Sequence, residues 1–280
     1  MIANGADADY NVTRQLPGYR SGNDEETVSP LGELAAVMLK AAGPSPAHVA
    51  VLRRLLEAGA DPNRTINASG KKVLADGAHV KMISCAGMSK FRLLDVLTRV
   101  AVTHDEPARL EALELAVLHG ANVNYIGNHR GYRWAAIHIA VAALDQTAAE
   151  LLVRAGADLT IANVAPGGFH DGKRGNGIRR APVHQICRAW TEDASDAVRA
   201  DLAEFLSFLV EKHGADINLE DKDVNRKRGG TSLRPLQLAM IEDKHELAAA
   251  LAKLGGATPD GWAVPPKAKK GAAKGKKSKK

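Results

Sequence analysis

Apolar residues recur with helical spacing along this chain. Leu202, Phe205, Leu206 and Leu209 fall at i, i+3, i+4 and i+7, the stripe that an amphipathic helix buries. Such stripes end on one phrase again and again: LLEAGADPN at 55–63, AVLHGANVN at 116–124, LLVRAGADLT at 151–160, LVEKHGADIN at 209–218 and LAKLGGAT at 251–258. The glycine in each permits the left-handed conformation that stops a helix. A second phrase stands upstream of each: SPLGELA at 29–35, FRLLDVL at 91–97, AAIHIAV at 135–141, APVHQIC at 181–187 and RPLQLAM at 234–240. Pro30, Pro182 and Pro235 fall in the first helical turn, where a missing N–H costs nothing. The pattern predicts pairs of helices, with Ala148, Ala149 and Ala248 to Ala250 letting neighbours approach closely. One such pair cannot bury its apolar face alone, so stacked copies must share a continuous core.

This pairing of an opening like T-P-L-H-x-A with a closing G-A-D resembles the ankyrin repeat. The resemblance covers roughly residues 29–258, with copies starting near 29, 91, 135, 181 and 234. In the third and fifth copies Ala135 and Arg234 stand 21 positions before Gly156 and Gly255, which is the family spacing. The other three are longer, with insertions between the two helices, where PSPAH (44–48), VTHDEPARL (102–110) and TEDASDAVR (191–199) supply breakers and caps. The resemblance implies an all-α fold: a helical solenoid of about five repeats with β-hairpin fingers between them. It also implies that His138 and His184 tie their loops to their own helix starts. Gly32, Leu94 and Gln237 stand at that position in the other copies.

Each inter-repeat segment is longer than the family's, at 30 positions from Asp61 to Phe91, 13 from Asn122 to Ala135, 23 from Asp158 to Ala181 and 18 from Asp216 to Arg234. In the first, Asp76-Gly77 joins two β-prone runs, which predicts a hairpin. These segments hold fifteen basic and five acidic residues, and the stretch from Lys267 adds eight lysines and no acid. Since the whole chain carries +6, the rest of the chain, mostly the helical body, carries −12. Segregation of this kind creates a local field that the net charge conceals. Fingers projecting from one side of a stack would bring their cations to a single surface. Tyr125, Tyr132 and Trp134 stand beside Arg130 and Arg133, and aromatic and arginine side chains are the usual anchors of interfaces.

GGFHDGKRGNGIRR, Gly167 to Arg180, comes close to a phosphate-binding loop, reading G-x-x-x-x-G-K-R. Such a loop needs a buried strand before it, a helix after it and a hydroxyl for magnesium. TIANVAP precedes it, Gly175, Gly177 and Pro182 delay the next helix, and Arg174 takes the hydroxyl position. It reads as a finger whose glycines and cations suit anions in general. Cys85 and Cys187 cannot build a disulfide framework or a zinc site, and no His, Cys, Asp and Glu set shows metal-ligand spacing. No catalytic residue and no cofactor is expected.

The sequence therefore predicts a polar N-terminal segment or loose cap over 1–28, a solenoid over 29–262 and a lysine-rich disordered tail over 263–280. What the resemblance implies is non-catalytic binding of another protein, here one with an acidic surface. Candidate contacts are Tyr125, Arg130, Tyr132, Arg133, Trp134, Lys173, Arg174, Arg179, Arg180, Arg226, Lys227 and Arg228. Binding of nucleic acid or a phosphate ligand through fingers and tail is the alternative. No membrane-spanning run or secretory signal is readable, so a cytoplasmic setting is the default; nuclear placement and delivery into a host cell stay open. Because the tail holds no core residue, deleting 266–280 should leave the melting temperature within about 2 °C by differential scanning fluorimetry. A larger drop would mean that the tail packs on the helices.

Overall fold

Each apolar phrase folds as a helix, and among the described residues the helices come in five pairs. The computed structural model describes residues 8, 12–15, 25–41, 43–64, 66–68, 89–99, 106–129, 132–167, 175–191, 193–223 and 232–264. The pairs are α1 (Pro30–Lys40) with α2 (Pro46–Glu57), α3 (Leu93–Arg99) with α4 (Glu106–Leu118), α5 (Ala136–Ala142) with α6 (Gln146–Arg154), α7 (Pro182–Ala189) with α8 (Asp196–Ser207), and α9 (Pro235–Ile241) with α10 (His245–Lys253). Helix predominates among the described residues. First helices pack in order, α1 on α3, α3 on α5, α5 on α7 and α7 on α9; α2 packs on α4 and α4 on α6. One apolar cluster runs through all five pairs, from Leu31 through Leu97, Ile137 and Phe205 to Leu251.

Capping explains where the first helices begin. The Ala135 N–H donates to His138 Nδ1 at 3.2 Å, and the Arg234 N–H to Gln237 Oε1 at 2.9 Å. In the second pair the same bond runs from the Arg92 N–H to Asp95 Oδ2 at 3.0 Å. The opening of that copy is therefore Arg92 and not Phe91, and Asp95, not Leu94, takes the histidine position. His138 also reaches outward, its Nε2 standing 3.0 Å from the Ile161 carbonyl in the next connecting segment.

Glycine ends the second helices. Gly59, Gly120, Gly156, Gly214 and Gly255 have φ between +66° and +92°, a region that costs an L side chain energy. After α2 the Ala60 N–H bonds Leu55 O and the Gly59 N–H bonds Leu56 O, each at 3.0 Å. The fourth pair departs from this, because α8 runs into a π-helical turn, Phe208–Lys212. There the Ala215 N–H reaches six residues back, to Leu209 O at 2.9 Å.

An asparagine just past the glycine turn joins one pair to the next. Asn63 donates Nδ2 to Gly120 O at 2.8 Å and accepts the Asn122 N–H at 2.6 Å. Asn124 does the same to Gly156 O at 2.9 Å and the Asp158 N–H at 2.8 Å. Asn218 repeats it to Gly255 O at 3.1 Å and the Ala257 N–H at 2.7 Å. At the remaining junction Thr160 holds that place, and its hydroxyl bonds Asp158 Oδ1 at 2.7 Å instead. Buried Arg109 of α4 adds a charged link, with Nη2 2.7 Å from Asp145 Oδ2, whose other oxygen caps α6 by accepting the Ala148 N–H at 2.9 Å.

The connecting segments pair as antiparallel strands. They are β3 (Ile66–Ala68), β4 (Ser89–Phe91), β5 (Gly127–His129), β6 (Tyr132–Trp134), β7 (Asn163–Gly167), β8 (Gly175–Arg180) and β9 (Lys222–Asp223). They join in that order as one seven-stranded sheet. Near the N-terminus β1 (Val12–Gln15) pairs with β2 (Glu25–Val28). Ala8 is buried in the same core as the helices. The sequence around it, Gly5-Ala6-Asp7-Ala8, echoes the closing phrase of the helix pairs, a copy that the sequence reading of 1–28 as a polar segment passes over.

Two outcomes test these bonds. Asn124→Ala removes both arms of its bridge and should cost about 1–2 kcal/mol in urea unfolding, whereas Thr160→Ala should stay within about 0.5 kcal/mol. Burial lowers His138 from 6.5 to about 4. The unfolded chain takes up that proton at higher pH than the folded one, so its stabilisation is complete above about pH 6.5 and is lost as pH falls towards 4, up to about 3 kcal/mol. His138→Gln should flatten that slope in urea midpoints measured across this range; an unchanged slope would assign the loss to other groups.

Candidate docking surface

The strands position the candidate residues, because consecutive hairpins hydrogen-bond to each other as well as within themselves. Between hairpins Lys90 pairs with Asn128, Arg133 with Val164, and Ile178 and Arg179 with Asp223 and Lys222. Within the β7–β8 hairpin Val164 pairs with Arg179. Arg133 and Arg179, expected contacts 46 positions apart in the sequence, thus occupy one cross-strand line with a single residue between them. Tyr132 lies on β6 beside Arg133. Arg130, Lys173, Arg174, Arg226, Lys227, Arg228 and the tail from residue 265 lie outside the described residues.

Trp134 takes a different part from the one expected of it. It is 7 % exposed and packs with Ile139 and Ala142 of α5, so it supports the sheet from the helix side and offers little area to a partner. Its position at the end of β6 brings it over the start of α5. Tyr125 sits half-buried on the turn after α4, its N–H bonded to Asn122 O at 3.2 Å. The Arg92 guanidinium lies 3.4 Å from the Tyr125 ring centroid, a cation–π stack that fixes both groups. Pro62, Asn63, Leu94 and Ala136 line the shallow recess around that stack.

Arg92 and Arg234 were not among the expected contacts, yet both stand at starts of first helices. Arg180, which was expected, is half-buried one residue before the corresponding cap, Ala181. The Nε groups of all three are covered and have no hydrogen-bond partner among the described residues. Arg234 Nε stands 3.9 Å from Glu220. The signal in the sequence is a basic residue at or just before a helix opening, which a count confined to the connecting segments separates from its neighbours.

Gly167 ends β7, and Gly175, its partner in the pairing, begins β8, so the glycine-rich loop joins two antiparallel strands where a nucleotide loop would join a strand to a helix. The next helix begins only at Pro182. Burial pushes the Cys187 thiol up to about 12, and burial likewise lowers His138 and His184. At neutral pH the thiol is protonated and both imidazoles are uncharged. Among the described residues no group of three or more His, Cys, Asp or Glu could hold a metal ion, and no helix is long and apolar enough to cross a membrane.

Neither a family model nor a curated protein matches the chain. What can be said of its activity rests on the geometry of the helix pairs and the sheet between them.

Proposed function

We propose that the chain is an ankyrin-repeat binding protein, a solenoid of about five repeats whose inner helices and basic hairpin fingers dock a protein with an acidic surface. The observation that carries this reading is the hydrogen bonding of consecutive hairpins into one sheet, which sets cations from distant parts of the sequence side by side. Repetition of the same bonds supports the repeat assignment: glycine turns at positive φ, a cap bond of one kind at the starts of α3, α5 and α9, and an asparagine bridge at three of the four junctions. A surface held by such bonds is ordered before the partner arrives, which lowers the entropy cost of docking. Binding in this reading involves no covalent step. The compartment follows from the partner and is not assigned.

Charge reversal in the glycine-rich finger tests it. The full chain should capture its partner from the source cells at both low and high salt, and Lys173→Glu with Arg174→Glu should weaken the purified pair about tenfold, some 1.4 kcal/mol. Unchanged affinity would remove that finger from the surface. An eluate of nucleic acid that vanishes steeply with salt would overturn the protein-binding reading in favour of polyanion binding.

A further inference from the structure

The register of the sheet aligns more cations than the two already met. Asn67 pairs with Lys90, Lys90 with Asn128, Asn128 with Arg133, Arg133 with Val164, Val164 with Arg179, and Arg179 with Lys222. Directly opposed residues share a face of a sheet, so these seven form one row across all seven strands. Four of the seven are basic and none is acidic. The one acid among the paired residues of this sheet, Asp223, is adjacent to Lys222 and so falls on the opposite face. That opposite face carries Trp134, which is buried against α5. The row therefore lies on the face turned away from the helices.

Spacing narrows the partner. Strands lie about 4.8 Å apart, which puts Lys90, Arg133 and Arg179 at intervals of about 9.6 Å, with Lys222 about 4.8 Å further on. An α-helix rises about 1.5 Å per residue, so acids seven positions apart stand about 10.5 Å apart on one side of it. A fourth acid three residues beyond the third would meet Lys222. A DNA duplex, with a charge every 1.7 Å or so, would meet only four cations over the same length.

We infer that this row is the anchor line for an acidic helix of a protein partner, with carboxylates repeating every seven residues along one side. Asn67, Asn128 and Val164 fill the intervals with neutral positions. The right-handed twist of the sheet turns the row gradually, so a straight helix engages three neighbouring cations more closely than all four. The inference rests on the protein-binding reading above and adds to it Lys90 and Lys222, together with the pattern the partner must show.

The test uses the full chain and two fluorescent 21-residue alanine–glutamine helical peptides of identical composition. One carries Glu at positions 1, 8, 15 and 18; the other has its four Glu distributed around the helix. By anisotropy at about 25 mM salt, where screening is weak, the aligned peptide should bind about tenfold tighter than the distributed one. Arg133→Glu with Arg179→Glu should abolish that preference, and Lys212→Glu, on the π-helical turn, should leave it intact. If the strand variant fails to keep its helical circular dichroism, Lys90→Gln with Lys222→Gln replaces it and should lower the preference about threefold. Equal binding of the two peptides, both lost on Lys173→Glu with Arg174→Glu, overturns the row and leaves the protein-binding reading standing. Displacement of both peptides by a 20-base-pair duplex that binds more tightly overturns the two together.

Discussion

A single side-chain amide, reaching from one glycine turn to the next, sets the pitch of this molecule. Asn63, Asn124 and Asn218 each donate to a carbonyl and accept an N–H across a junction. An amide has both a donor and an acceptor at the end of a short stem, which is why asparagine suits the task. Apolar packing brings helix pairs together without fixing how far one slides on another; a bond with two arms does fix it. The hairpins can pair across units only when that distance is right, since strands hydrogen-bond at about 4.8 Å. The sheet, and with it any surface built on the sheet, inherits its order from these bridges.

The junction after the third pair shows what happens without the bridge. Thr160 is too short to span it and turns back on Asp158, and the helix that follows ends in a π-helical turn with one residue more before its glycine. Other bonds hold the pairs together there. Gln185 donates to the His138 carbonyl at 3.0 Å, His138 itself bonds Ile161 O, and Lys212 pairs with Glu150 at 2.9 Å. The first helices and the strands thus keep register where the turns do not.

Helices were legible in the sequence wherever local chemistry specified them: apolar periodicity, a proline in the first turn, a glycine past the last. The second copy opens on a sequence with neither proline nor histidine, and the bond from Arg92 to Asp95 is what marks its start, one residue after Phe91. Trp134 looked like a surface anchor because it neighbours arginines, but period-two alternation along β6 sends adjacent residues to opposite faces. The cross-strand row was not legible at all. It depends on pairings between hairpins, whose opposed residues in the row stand 31 to 43 positions apart, and no local pattern specifies which residue of one segment stands opposite which residue of another.

Where the charges meet also divides the molecule by task. On the helices cations stand against acids of neighbouring pairs: Arg53 with Glu111, Arg109 with Asp145, and Arg199 with Glu246. In the sheet the arrangement is reversed, because cations come every second strand with neutral residues between. At about 9.6 Å that spacing exceeds the Debye length at physiological salt, about 8 Å, so their mutual repulsion is largely screened. Arg179 and Lys222 break the rule by standing directly opposite one another. Like charges so placed oppose strand pairing, and here they stand where the two-residue edge strand β9 joins the sheet. A carboxylate placed between them would turn that repulsion into two attractions. The least comfortable pair in the ribbon is thus the one whose environment would improve most when an acidic partner binds.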